Sequence, residues 1–114
     1  MAPEPRREFA VPIPVEVRRP DGTSEVEYAV NLSPGGMCLH AKAPLSAGAE
    51  IQVSFRLPPT GIYVESGAQV VWCTSQGLAR GEGHHEIGIL LRDVSESLRG
   101  QLEAWACQPA NRRR

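Results

Sequence analysis

The sequence is short of cysteine, of net charge and of long apolar runs, and each shortage excludes a class of protein. Its 114 residues include 3 cysteines. Because that number is odd and their spacing is not clustered, we expect no disulfide framework and a reducing cytoplasm. The formal net charge is -1, whereas a general DNA- or RNA-binding protein usually presents a basic face. No apolar run approaches the roughly 20 residues that cross a bilayer, and residues 1–7 lead into no signal-peptide core. We therefore predict a cytoplasmic protein with no membrane span and no nucleic-acid partner.

Motifs of catalysis and of metal binding are missing as well. The chain has no GxSxG elbow, no P-loop and no GxGxxG segment after a strand, so we predict no enzymatic activity. Its histidines and cysteines lack CxxC, HExxH or similar spacing, so we predict neither a metal site nor a bound cofactor. Glu25 and Glu27 share one strand face and resemble a carboxylate pair, but alternating charge on an exposed strand is the simpler interpretation.

The chain does contain a period-two alternation of apolar and polar residues, which predicts β-strands. The predicted strands cover residues 11–18, 25–32, 37–41, 51–57, 62–73 and 85–91. Pro12 and Pro14 cannot donate ladder hydrogen bonds, so the first strand should be an edge strand or bulged at its start. The fifth strand is long enough that Gly67 marks a candidate bend.

The second predicted strand is half-buried, and its orientation decides where Asn31 points. One face is apolar and carries Val26, Tyr28, Val30 and Leu32. The other face carries Glu25, Glu27, Ala29 and Asn31. The alternation therefore places Asn31 on the polar face of this strand.

A helical period follows the last strand and completes the predicted fold. Asp93 or Ser95 is a plausible N-cap, and Pro109 ends the helix. The apolar residues at helical spacing are Val94, Leu98, Leu102, Trp105 and Ala106. We expect one domain, with a flexible segment over 1–10, a folded domain over 11–108 and a disordered basic tail over 109–114. Six short strands and one terminal helix predict a mainly β fold, a small antiparallel barrel or sandwich.

The segment Asn31-Leu32-Ser33-Pro34-Gly35-Gly36 concentrates turn-forming residues at one strand junction. Pro34 fixes its own φ, and Gly35 and Gly36 can adopt a positive φ. Asn31 and Ser33 are two residues apart on an extended chain, so their side chains leave the same face. Such a turn can serve as a polar recognition corner. An ordinary hairpin turn, with Asn31 bonding to local backbone, explains the same residues.

The pattern Asn31-x-Ser33-x-x-Gly36 resembles the (D/N)xSxxG motif of the PilZ family, whose members bind the second messenger cyclic di-GMP. The run Glu86–Leu91 is similar to the final barrel strand of that family, and the helix follows where the family would place it. The resemblance covers roughly residues 6–107. It implies a PilZ-like six-stranded antiparallel β-barrel of the split-barrel type with a C-terminal α-helix.

The resemblance also implies a ligand site with one member missing. Cyclic di-GMP carries two phosphates and two guanines, which arginine recognises through its planar donors and flat face. In the family, two arginines come from an RxxxR motif just before the first strand. Here Arg6 or Arg7 supplies the first of them, but the second position falls on Ala10 or Val11. The implied ligand-binding residues are Arg6, Arg7, Asn31, Ser33, Gly35 and Gly36.

Two functions follow from this resemblance. The favoured one is a stand-alone regulatory adaptor that acts by protein–protein contact in bacterial motility or surface signalling, with cyclic di-GMP binding weak or lost because Ala10 replaces the second arginine. The alternative is a functional cyclic di-GMP receptor that uses Arg6, Arg7, Asn31, Ser33 and Gly36. A monomer and a dimer are both compatible with the sequence.

Overall fold

Strands make up most of the chain, and one helix follows them. The computed structural model describes residues 7–33, 35–76 and 84–107, with the side chains of residues 7–11, 33, 75, 76, 84 and 106 excluded. The strands are β1 (Arg7–Arg18), β2 (Ser24–Ser33), β3 (Gly36–Ala41), β4 (Glu50–Leu57), β5 (Ile62–Gln76) and β6 (His84–Leu91), and the helix is α1 (Glu96–Cys107). The predicted helix stop at Pro109, the basic tail over 109–114 and residues 1–6 of the N-terminal segment lie outside the described residues.

The six strands close into a barrel in the order β1-β2-β3-β6-β5-β4, and every neighbouring pair is antiparallel. The predicted six-stranded antiparallel barrel with a C-terminal helix is confirmed. Closure pairs β1 with β4, so β1 is not an edge strand. The register of β1 against β2 does shift between Glu8 and Ile13, where the prolines predicted a bulge. The strand also begins at Arg7 rather than at Val11.

The core consists almost wholly of aliphatic side chains that alternate along the strands. Fully buried members include Val15, Leu39, Leu57, Val64 and Ile87. Each such side chain stabilises the fold by roughly 1.5–3 kcal/mol relative to its exposed state. Because the barrel is closed, the core needs only its two open ends to be covered.

The helix covers the end at which β4 finishes and β5 begins. Leu102 and Trp105 are buried in the core, and the Trp105 indole Nε1 donates a hydrogen bond to the Pro58 carbonyl oxygen over 2.6 Å. Ser95 is the N-cap, since its hydroxyl oxygen accepts a bond from the Leu98 amide over 3.1 Å. None of the described residues forms a helix with the length and apolar character of a membrane span.

Asp93, the other predicted N-cap, ties the helix to β5 instead. Its Oδ2 accepts a hydrogen bond from the Gly67 amide over 3.0 Å. A Cβ on Gly67 would lie 2.7 Å from that same oxygen, so the glycine permits a close approach. The pairing of β4 with β5 continues through Gly67 without a shift, and the irregularity of β5 lies between Val70 and Trp72.

The predicted orientation of β2 is wrong for its middle residues. Val26 and Tyr28 are 54% and 49% exposed. Glu27 and Ala29 are 2% and 0% exposed. The cause is the register with β1, which places Glu27 opposite Val15 and Ala29 opposite Ile13, two core residues. Pairing therefore overrides the hydrophobicity of the individual side chains.

An ion pair partly offsets the burial of Glu27 at the end of the barrel away from the helix, although the Glu27 Oε2 atom accepts no hydrogen bond from the described residues. The Arg19 guanidinium lies 3.5 Å from the Glu27 carboxylate. Arg19 also donates hydrogen bonds to the carbonyl oxygens of Ala43 and Pro44 over 3.3 and 3.2 Å. These contacts close this end with a polar plug that joins the β1–β2 turn to the β3–β4 loop. Burial raises the pKa of the Glu27 carboxyl above its usual value, and the charge of Glu25 adds to the rise.

We predict that Glu27→Gln makes the free energy of unfolding less dependent on pH. A carboxyl whose pKa is raised in the folded state stabilises the fold while it is protonated, and that contribution is lost as the pH rises through the folded pKa. The free energy of unfolding of the wild type, minus that of the variant, should therefore fall as the pH rises above the ordinary glutamate pKa of 4.5. Urea denaturation at several pH values measures this difference. Glu65→Gln, at an exposed carboxylate of β5, is the control, and a difference that stays constant or grows with pH contradicts the prediction.

Candidate functional site

The turn between β2 and β3 is built on its two glycines. Gly35 has a φ of 80°, a conformation that favours glycine. Gly36 pairs with Ser33, and a Cβ on Gly36 would overlap the carbonyl oxygen of Ile89 in β6. The Leu91 amide donates a hydrogen bond to the Gly35 carbonyl oxygen over 3.0 Å. Both glycines therefore have structural reasons to be there, and they fix the turn against β6. Pro34 lies outside the described residues.

A bulge in β2 determines the direction of the Asn31 side chain. Ala29 pairs with Leu39 and Asn31 pairs with Cys38, so Val30 is an extra residue in β2. Ala29 and Leu39 both lie in the core. Strict alternation would point Asn31 inward with Ala29, but the extra residue reverses the direction of the strand's next side chain. Asn31 therefore lies on the outer side of β2, where only 6% of the residue is exposed, although the parity that predicted this side was wrong.

A row of four residues crosses four strands on this outer face, at the level of Asn31. Asn31 pairs with Cys38 of β3, Cys38 with Gly88 of β6, and Gly88 with Trp72 of β5. Their neighbours along the strands, which include Leu32, Leu39, Ile87 and Ile89, belong to the core. A second register shift lies at Val71, so bulges flank the row on both sides. Bulges commonly re-aim side chains beside functional sites.

Trp72 lies flat against the backbone of Gly88. A Cβ on Gly88 would overlap the indole ring, so only glycine permits this contact. The indole and the row around it line a shallow cavity of about 70 Å³. Its walls are Asn31, Met37, Cys38, Val71, Trp72, Gly88 and Ile89. An amide beside a half-buried aromatic ring can recognise a flat polar heterocycle by hydrogen bonding and stacking.

The N-terminal end of β1 lies directly beside this row. Arg7 pairs with Leu32, and Glu8 pairs with Asn31. Ala10 falls inside the register shift between Glu8 and Ile13. The backbone of Ser33 pairs with Gly36. The structure thus brings Arg7, Asn31, Gly35 and Gly36 together, whereas Arg6 lies outside the described residues and the side chains of Arg7 and Ser33 are not described.

Three members of the row escaped the sequence analysis. Trp72, Cys38 and Gly88 belong to different strands, and only the register between strands brings them to Asn31. The one signal available was an aromatic residue in one strand and a glycine in the next, a pairing in which the ring covers the bare backbone. No group of three or more metal-ligating side chains occurs within the described ranges.

Comparison with known proteins identifies the family of this chain. The model of the PilZ domain family matches residues 3–107. Comparison with curated proteins found no match. Among solved structures, the PilZ domain of YcgR from Escherichia coli, determined with cyclic di-GMP, has a TM-score of 0.69 at 19% identity, covering 86% of this chain and 82% of that one.

Two further structures share the fold. MrkH of K. pneumonia in its apo state has a TM-score of 0.77 at 18% identity and is matched over 91% of this chain and 49% of its own. The Bacillus subtilis inhibitor of motility, MotI/DgrA, has a TM-score of 0.72 at 14% identity over 93% and 50% of the two chains. The present chain thus spans about half the length of both. PilZ domains are non-enzymatic effectors of cyclic di-GMP. With its family model matched over nearly its whole length, its closed barrel and its Asn31–Gly36 turn, the chain belongs to the PilZ domain family.

Proposed function

We propose that this chain is a non-catalytic regulatory adaptor of the bacterial cytoplasm that acts by contact with a protein partner and binds cyclic di-GMP weakly. The nucleotide lies on the outer face of the barrel, over the row Asn31–Cys38–Gly88–Trp72. The observation that carries the proposal is the pairing of the N-terminal end of β1 with the motif strand, Glu8 opposite Asn31. This pairing keeps the arginine-bearing segment beside the amide.

The chemistry of the row suits a guanine. Guanine presents acceptors on one edge and donors on another, and an asparagine amide offers both kinds of group. The Trp72 indole supplies a flat surface, and stacking of a base on an aromatic ring contributes about 1–3 kcal/mol. Arg6 and Arg7 would supply positive charge for a phosphate from the segment that runs antiparallel to β2.

Ala10 is the reason that we propose weak binding. The resemblance to RxxxR requires a second guanidinium at this position, and an alanine has neither charge nor donor. Loss of a charged partner at a desolvated contact costs about 2–5 kcal/mol. That range corresponds to an affinity lower by roughly 1.5 to 3.5 orders of magnitude.

A surface farther along β1 and β2 favours the protein-contact part of the proposal. Pro14 of β1 pairs with Tyr28 of β2, and Val26 follows on the same outer face. Tyr28 and Val26 are about half exposed, and together with Pro14 they form an apolar strip on the outer face of β1 and β2. A nucleotide bound beside the N-terminal end of β1 would change the surface next to this strip. We propose bacterial motility or surface signalling as the regulated process.

The arginine contribution can be tested by calorimetry. We predict that Arg6→Ala with Arg7→Ala abolishes measurable binding of cyclic di-GMP, because no guanidinium of the N-terminal segment remains to hold a phosphate. Arg112→Ala with Arg113→Ala removes the same charge from the other end of the chain and should leave binding unchanged. In the wild type, nucleotide should shift backbone amide resonances of residues 7–10 and 31–36. Equal binding by the two double variants would remove this mechanism.

Restoring the missing arginine is a second test. We predict that Ala10→Arg tightens cyclic di-GMP binding by about tenfold or more, since it supplies the absent guanidinium. Ala10→Gln, which adds length and polarity without charge, is the control. If the arginine and glutamine variants both bind like the wild type, the missing second arginine does not limit affinity.

The stacking surface can be displaced without removing the indole. We predict that Gly88→Ala expels the Trp72 ring from its place, because the new Cβ would occupy the position of ring atoms. The Trp72 indole N–H resonance should shift while that of Trp105 stays, and nucleotide affinity should fall by about fivefold or more. Gly100→Ala, on the helix with open space around the new Cβ, is the matched control. Unaltered affinity together with a shifted Trp72 resonance would exclude the indole from the site.

A further inference from the structure

An arginine of the helix lies against the turn that carries the motif glycines. The Arg99 Nη1 atom is 3.5 Å from the position that a Cβ of Gly35 would occupy. Arg99 also lines a narrow crevice between the turn and α1, together with Gly36 and Glu103. The helix that closes the barrel therefore delivers a guanidinium to the tip of the β2–β3 turn.

The charge of Arg99 is not paired with a carboxylate in the part of the chain that the structure describes. The guanidinium forms no ion pair or side-chain hydrogen bond there. Arg19 and Arg92 differ, because each holds a carboxylate and a further oxygen acceptor. Arg99 is exposed, so its charge is available to a ligand.

Arg99 lies close to the row that contains Asn31. On the outer face of β3, Gly36 is the next outward position after Cys38, which places it about 6.6 Å along the strand. Gly36 pairs with Leu90 of β6, and the Leu90 side chain also contacts the Gly35 position. The guanidinium is thus one step beyond the row, at the end of the barrel that the helix covers. A dinucleotide laid over the row extends farther than one such step.

We infer that Arg99 is a further ligand-binding residue, which contacts a phosphate of the nucleotide where it passes over the Gly35–Gly36 turn. It supplies part of the positive charge that Ala10 does not. This inference rests on the proposed function. It assigns a role in recognition to the C-terminal helix, whereas the motif and the N-terminal arginines lie on β1, β2 and the turn.

The test is calorimetric titration of the full chain with cyclic di-GMP at several salt concentrations. We expect Arg99→Gln to raise Kd by about tenfold and to reduce the salt dependence of Kd, since one phosphate contact is lost. Arg56→Gln is the matched control. Arg56 of β4 is also exposed, but it covers the Tyr63 ring of β5, and β4 lies three strands from β3 around the barrel. Unchanged resonances of the Trp105 indole would show that the helix stays docked.

The outcomes separate this inference from the proposed function. If the wild type binds and Arg99→Gln binds equally well, Arg99 is not a ligand residue and the proposed function stands. If Arg56→Gln weakens binding as much as Arg99→Gln, the effect is one of overall charge and the inference is overturned. If the wild type does not bind even at millimolar nucleotide, the inference and the nucleotide-binding part of the proposed function are both overturned. In an Ala10→Arg background, Arg99→Gln should raise Kd by a smaller factor than in the wild type.

Discussion

Closure of the barrel through β1 is the constraint on which the rest of the structure depends. This strand pairs with β4 through residues 15–18 and with β2 along most of its length. Its C-terminal half seals the core, and its N-terminal half lies beside Asn31. One strand therefore provides both the closure of the fold and the edge of the candidate site. Backbone pairing consequently holds Arg7 and Glu8 beside Leu32 and Asn31. Under the proposed function, this pairing would lower the entropy lost on binding relative to a free tether.

The two bulges determine which side chains the closed barrel presents at the candidate site. A barrel with perfect alternation would present every second residue of β2 to the core. The extra residue at Val30 turns the Asn31 amide outward, and the irregularity at Val71 sets Trp72 over Gly88. Each bulge spoils one step of the ladder, but the closed sheet around it supplies enough pairing to tolerate the loss.

Sequence alone was sufficient for the elements and insufficient for their register. Period-two alternation predicted six strands because each of them has one face on a single aliphatic core. It failed at Glu27 and Ala29, because a carboxylate can be buried when pairing imposes the position and Arg19 supplies a partner. The Asn31 turn was recognisable because its residues are contiguous. Trp72 and Arg99 could not be recognised in this way. Trp72 lies near Asn31 and Arg99 lies near Gly35 only through contacts between residues far apart in the chain.

The two ends of the barrel are closed by chemically different groups, apolar at one end and charged at the other. At one end a helix presents aliphatic and indole groups, and at the other Arg19 and Glu27 form a plug whose strength varies with proton concentration. The titratable contact between Arg19 and Glu27 therefore lies at the end of the barrel opposite the Asn31–Gly36 turn. The free energy of unfolding should therefore respond to pH through this end of the barrel, because burial raises the pKa of the Glu27 carboxyl.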